Sequence, residues 1–352
     1  MIRINHDAGP NTQNTDASTK QQTTHMLTDW LERLGDGTSL AIGGGVIGIA
    51  FGFLAQRSRF CLRAAVIEFW HGRFGEKLSV WLLAFCSALV AVQTLVMTGG
   101  LDSSAARQIA ARGSLSGALL GGLLFGVGMV MTRGCASRLL ILSATGNLRA
   151  LLSGLLFAVT AQSSLSGALS PLRAEISSWK TVEGGAERDL LATLGLTPPG
   201  GLFLGWLGFL IAVYFAKRSK LRPGLWLGSI GTGLTVAAAW GFSQWVARNA
   251  FDPVQIQGLT FSGPSAEWLM RVLQQPTPAI GFEFGLLPGV FAGSAVGAWM
   301  GKDFKLEGFQ DGYSMRRYIA GAILMGFGAM LSGGCAVGAG MTGGAIFALT
   351  SW

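Results

Sequence analysis

Charge is what this sequence has least of. Asp, Glu, Lys and Arg make up 12% of its 352 residues, about half the roughly 25% of an ordinary soluble domain. Histidine is scarcer still. His6 and His25 fall in a polar N-terminal stretch, and only His71 lies in the body of the chain, which argues against a haem or a multi-histidine metal centre. The four cysteines, Cys61, Cys86, Cys135 and Cys335, include no Cys-x-x-Cys pair, so neither a thioredoxin-like motif nor a zinc knuckle is supported. No Gly-x-x-x-x-Gly-Lys-Ser/Thr sequence occurs, so that nucleotide loop is missing as well. No cleavable signal peptide is visible: the first 25 residues are polar and rich in Thr, Asn and Gln, the composition of a disordered tail. No cofactor is indicated.

What remains is apolar and rich in glycine. Half of the residues are hydrophobic and 53 are Gly, the latter about double the average share of roughly 7%. These glycines sit inside apolar runs such as 117–131 and 320–331, which excludes collagen and flexible linkers. Membrane helices tolerate Gly because it lets backbones approach closely and permits breaks where a pathway needs bare backbone. The formal net charge of +8 resides in short basic clusters between apolar segments. That arrangement is a topology signal, not a nucleic-acid surface.

Apolar stretches recur at about 40–55, 79–98, 115–132, 148–169, 202–216, 224–247, 284–300 and 318–331. A full span needs about 20 apolar residues, and shorter pieces at 62–70, 136–145 and 336–350 each follow a Cys-containing break. The expectation is an all-α polytopic membrane protein with about nine transmembrane helices and short re-entrant half-helices. A polar tail would cover 1–38 and one transporter domain 39–352. The breaks also repeat. Gly121, Gly126, Gly128, Gly134, Cys135 and Ala136 reappear as Gly321, Gly326, Gly328, Gly334, Cys335 and Ala336, at a constant offset of 200. A fainter echo links Ala55–Arg59 with Ala216–Lys220. Two related halves, roughly 40–170 and 200–352, are expected, and transporters built from repeats hold substrate where discontinuous helices meet. The basic clusters Lys217–Arg222 and Lys302–Arg317 read as cytoplasmic, and 171–200 as periplasmic.

Two kinds of residue in these breaks carry chemistry. The run Gln56-Arg57-Ser58-Arg59-Phe60-Cys61-Leu62-Arg63 places three arginines in an apolar region. A charge deep in a bilayer costs at least about 2.5–3.5 kcal/mol, so it normally faces a cavity or a partner. These arginines either attract an anion or mark an ordinary cytoplasmic loop. Cys135 and Cys335 lie at Arg133-Gly134-Cys135 and Gly333-Gly334-Cys335. There bare amides and a helix N-terminus can hold an anion, and the thiol adds a weak donor and a polarizable sulfur. A lone membrane cysteine ordinarily just fills a helix contact. Two in matching repeat positions, each at a break, point beyond packing. Cys86, inside Leu83–Ser87 with no break and no repeat partner, keeps the packing assignment.

These residues resemble the YeeE/YedE family of sulfur-transport membrane proteins. The resemblance covers about 40–352 and rests on Gln56–Cys61, on Gly126-x-Gly128 through Gly134-Cys135, and on Phe327-Gly328 through Gly333-Gly334-Cys335. Gly258–Pro264 adds weaker support. It implies an hourglass-shaped helical transporter in the bacterial inner membrane, thiosulfate as substrate, and three pathway cysteines, which by motif position are Cys61, Cys135 and Cys335. It also implies a possible partner, a small cytoplasmic TusA-like sulfur carrier that would dock on the basic loops. Arg133 departs from the repeat, where the second copy has Gly333, and an extra charge there bears on anion selection.

Thiosulfate is a dianion with one soft terminal sulfur, close in shape to sulfate. Arginines and amides alone would bind the two anions comparably. A neutral thiol can donate S–H to the terminal sulfur, whereas a thiolate would repel the dianion and invite covalent transfer. Cys135 and Cys335 are expected to stay neutral more securely than Cys61. The expected pathway thus comprises Gln56, Arg57, Arg59, Cys61, Arg133, Gly134, Cys135, Gly334 and Cys335. Competing readings are transport of another sulfur or selenium anion, and a membrane sulfurtransferase or thiol oxidoreductase. The missing Cys-x-x-Cys and the lack of a soluble catalytic domain weigh against an enzyme.

Overall fold

The computed structural model describes residues 35–250, 253–273, 280–308 and 312–352. Of the expected polar tail, 1–34 lies outside the described residues, and the first helix already begins at Asp36. The helices are α1 (Asp36–Arg57), α2 (Leu62–Trp70), α3 (Glu76–Met97), α4 (Leu115–Met131), α5 (Ala136–Ala144) and α6 (Leu148–Ser166). They continue with α7 (Ser170–Ser178), α8 (Pro198–Arg218), α9 (Pro223–Asn249), α10 (Ser262–Leu273), α11 (Phe282–Gly301) and α12 (Gly312–Leu331). A π-helix, Ala336–Gly343, follows α12. Two-residue strands, β1 (Gly113–Ser114) and β2 (Thr181–Val182), form the one antiparallel pair among the described residues. The chain is therefore a polytopic all-α protein. Eight of its helical segments are long and apolar enough to cross a membrane, among the described residues.

Local chemistry fixes where these helices start. The side chains of Ser114 and Asn147 accept the amide hydrogens of Gly117 and Ala150, satisfying donors that a helix N-terminus leaves free. Pro198 and Pro223 open α8 and α9, where a missing N–H costs nothing.

Contacts sort the loops to two ends. At one end, Gly301 lies under the Arg57 guanidinium, Arg59 pairs with Asp303, and Gly228 abuts Ser58. Ser79 and Ser219 share a hydrogen bond there, the Lys305 and Glu307 amides donate to Thr145 O and Gly146 O, and Asn147 Nδ2 donates to the Glu307 carboxylate. At the other end Ser116 meets Lys180, Arg188 reaches Ala111 and Thr350, and Arg248 reaches Gly99. The basic clusters at 217–222 and 302–305 share the first end. The 171–190 segment lies at the second.

One close seam is the crossing of α4 and α12, which run antiparallel. A Cβ on Gly121 would come within 2.7 Å of Gly328 O, and one on Gly328 within 2.7 Å of Gly121 O. Gly128 would meet Gly321 O at 2.5 Å, and Gly321 would meet Gly128 O at 3.0 Å. Each contact becomes the other when the two segments are exchanged by 200 residues. Only glycine fits at this separation, because any side chain would strike backbone. A second close seam joins α1 and α11, where Gly48 and Gly52 lie against the backbone of Leu286 and Val290.

Candidate functional site

Four helices end in one shared way. The hydroxyl residues Ser58, Thr132, Ser219 and Ser332 each follow the end of a helix. Next comes a left-handed residue: Arg59 at φ 54°, Arg133 at 61°, Lys220 at 51° and Gly333 at 80°. The following amide then bonds back across the last turn: Phe60 to Ala55, Gly134 to Met129, Leu221 to Ala216, Gly334 to Ala329. This is the six-to-one closure of a Schellman turn, and three of the four left-handed residues are cations and not glycine, at a cost of about 1–2 kcal/mol each. In three of these turns the next residue is a cysteine: Cys61, Cys135 or Cys335. In the fourth it is Arg222.

Each cysteine stands at the N-cap position of the short helix that follows. Cys335 Sγ accepts the Gly338 amide hydrogen at 3.4 Å, and Cys135 Sγ lies near the backbone of Arg138, three residues on. Cys135 also lies 3.4 Å from the Ser137 hydroxyl. The turn before each is braced: Thr132 Oγ1 donates to Gly134 O at 2.9 Å, and Ser332 Oγ to Gly334 O at 3.1 Å. The N-terminal ends of α2, α5 and the π-helix therefore present thiols together with amides that the helices cannot satisfy, a positive electrostatic environment. Cys135 is within electrostatic range of both Cys61 and Cys335, so the three thiols share one region. They enter it from opposite ends. The breaks at 58–61 and 132–135 come from the basic end, whereas the π-helix leads to Phe347 and Thr350 at the other.

The expected residues separate into two groups. Cys135, Cys335, Gly134, Gly334 and Gln56 are buried, and Cys61 is half-buried. Arg57, Arg59 and Arg133 are exposed, and Arg59 forms a loose ion pair with Asp303 at 3.8 Å. Arg63 is within electrostatic range of Arg133, Arg149 and Arg317, so Arg133 belongs to a cationic patch around Arg63 beside the breaks. Cys86 Sγ sits 3.3 Å from where a Cβ on Gly208 would stand, filling the contact between α3 and α8.

The cation among the thiols is one the motifs did not single out. Arg138, half-buried on α5, is within electrostatic range of Cys61, Cys135, Arg59 and Asp303. Its Nη1 donates to Gln56 Oε1 at 3.3 Å, and it has no ion pair with a carboxylate among the described residues. Its position was available from the sequence as the third residue after Cys135, the spacing at which a capping side chain meets its amide. Thr260 is a second such residue: Gly338 has no room for a Cβ because Thr260 Oγ1 occupies it. Thr342 Oγ1 in turn donates to Leu259 O at 2.6 Å, tying the π-helix to the 253–261 segment. A cavity of about 500 Å³ reaches Gly334 and Cys335 and is also lined by Leu62, Ser332, Thr350 and Trp352.

Comparison with known proteins bears on this arrangement. The family model described as sulphur transport matches residues 57–352. The thiosulfate transporter TsuA of Escherichia coli (strain K12) is 24% identical over 336 residues, covering 89% of this chain and 90% of that protein. The thiosulfate transporter TsuA of Spirochaeta thermophila is 27% identical over 333 residues, covering 88% of this chain and 93% of that one.

Proposed function

Because this chain belongs to the sulphur-transport family of membrane proteins, we propose that it carries thiosulfate into the bacterial cell across the inner membrane, through the region where Cys61, Cys135 and Cys335 meet, and delivers it chemically unchanged. The observation that carries this reading is the presence of a cysteine at the N-cap position of three short helices that share one region with Arg138. A dianion there gains a half-buried cation that forms no ion pair with a carboxylate among the described residues, together with helix N-terminal amides. Its terminal sulfur meets S–H donors that sulfate, with four hard oxygens, uses less well. Two similar proteins of nearly the same length bear the name thiosulfate transporter, which supports the substrate.

The thiols act as successive contacts. Cys61, half-buried, receives or releases the anion at the basic end, while Cys135 and Cys335 hold it where water is excluded. Arg57, Arg59, Arg63 and Arg133 raise the anion's concentration near the breaks without touching it in the interior. The basic end faces the cytoplasm under the positive-inside rule, with Lys217–Arg222 and the 301–317 loop offering an anionic sulfur carrier a docking face; 309–311 of that loop lie outside the described residues.

The test is uptake of sulfur-labelled thiosulfate into liposomes containing only this protein, followed by chemical identification of what arrives. Intact thiosulfate in the lumen is the expected result. Sulfite, sulfide or a protein-bound persulfide as the main product would replace transport with sulfur transfer.

A further inference from the structure

A second cavity of about 500 Å³ opens at the end opposite the basic clusters, lined by residues that include Gln257, Glu267, Arg271, Phe282 and Glu283. Glu283, in the first turn of α11, and Glu267 of α10 line it together, within electrostatic range of each other. Two ionised carboxylates brought together repel and offer each other only acceptors. A proton on one of them removes that repulsion and supplies a donor. Glu283 Oε2 is sealed from solvent with no hydrogen-bond partner, an acceptor position that one further proton would fill.

Other charged groups face the pair. Arg107, from the turn before β1, attracts Glu283 from a distance. Arg271 and Asp36 also line the cavity, and the Arg271 guanidinium lies 4.5 Å over the Phe284 ring. The cavity is linked through the chain to the π-helix. Gln257 lines it, and two residues further on Leu259 receives the Thr342 hydroxyl of the π-helix that Cys335 caps.

We propose that Glu267 and Glu283 form a proton-binding site on the entry side, so that thiosulfate enters together with protons. This rests on the thiosulfate reading above. The physical need is independent of the site: a membrane potential negative inside opposes a dianion by roughly a thousandfold or more at ordinary resting values. Accumulation therefore requires a co-transported cation, and each proton carried removes one of the two charges. The only bonds made and broken are O–H bonds. The pair takes a proton from the outer solution and yields it to the inner one, with no oxidant or reductant involved. A dianion arriving in the vestibule meets Arg107 and Arg271 beside a protonated pair, instead of two carboxylates that would repel it.

The experiment uses the full chain in liposomes with the potential clamped and a pH-sensitive dye in the lumen. External thiosulfate should acidify the lumen. An inward gradient of one pH unit should raise accumulation by about tenfold for each proton carried. In Glu283→Gln or Glu267→Gln, whichever inserts at the normal level, the ratio of uptake with and without the gradient should fall towards one. Thiosulfate uptake without lumen acidification would overturn the proposal and leave the transport reading intact. An unchanged ratio in both Gln variants would remove these carboxyls from the coupling. No thiosulfate uptake by the unaltered protein under any gradient would sink the transport reading instead.

Discussion

Replacing Arg138 by Gln should weaken thiosulfate capture while leaving the protein as stable as before, or more so. The guanidinium is half-buried, bonded to the neutral Gln56 at 3.3 Å, and without a carboxylate partner among the described residues. Holding a charge there is unfavourable for folding, and a neutral amide relieves that cost. A hydrogen bond to a charged group contributes about 1.5–3 kcal/mol, so loss of one such contact should raise the half-saturating thiosulfate concentration by roughly 10- to 150-fold. Arg138→Lys keeps the charge but loses the planar fork and should fall between the two. The contrast with Arg59 sharpens the test. The Arg59 side chain is 63% exposed, so Arg59→Gln should cost at most about 1 kcal/mol, and that loss should fade as salt screens it. The assay is concentration-dependent uptake into liposomes at low and physiological ionic strength, with detergent-solubilised melting temperatures measured in parallel. Equal, salt-dependent effects at both positions would refute the placement of Arg138 inside the site. A large drop in melting temperature for Arg138→Gln would make it a structural residue.

Four further outcomes follow from the geometry. Single Ala substitutions at Cys61, Cys135 and Cys335 should each sharply reduce growth of an uptake-deficient bacterium on thiosulfate, and Ser variants should be impaired as well. Cys86→Ala should grow near normally, because that thiol fills the contact with Gly208; equal damage there would show packing mistaken for chemistry. Gly121→Leu or Gly328→Leu should cost about 1–3 kcal/mol or more by forcing the α4–α12 crossing apart, read as lost membrane abundance and earlier melting. Thr132→Val deletes the hydrogen bond that braces Gly134 O; about 1 kcal/mol of stability and a larger share of transport should go, measured as uptake per inserted molecule. On a cysteine-free background, a cysteine at position 219 should resist an impermeant maleimide in intact spheroplasts, and strong labelling from outside would invert the assigned orientation.

Much of this was legible because a bilayer imposes simple rules. Apolar runs of about 20 residues could only be spans, and the short pieces after Cys61 and Cys135 appear as α2 and α5 with nearly the expected bounds. The offset of 200 picked out the Gly–Cys segments as related, and the structure sets their glycines at reciprocal positions where α4 and α12 cross. Less visible was anything set by three-dimensional neighbours. Gly-rich 336–350 read as a short helix, but 336–343 takes a π form and packs at Gly338 against Thr260, more than 70 residues away in sequence. Arginine in the left-handed region at 59 and 133 carries no local signature, because glycine is the usual residue there. Arg138 was passed over because a single arginine in an apolar stretch does not announce which of its faces meets Gln56. The carboxyl pair was hidden for the same reason, being split between α10 and the start of α11.

The central claim is that thiols at three helix N-termini carry thiosulfate through the membrane, and one measurement bears on it most directly. Liposomes would hold either the unaltered protein or its Cys61→Ala, Cys135→Ala, Cys335→Ala triple variant at equal abundance. Entry of sulfur-labelled thiosulfate would be followed with and without excess sulfate. The account predicts rapid entry of intact thiosulfate that sulfate barely competes with, and near-complete loss of entry in the triple variant. Normal entry through the triple variant would contradict it.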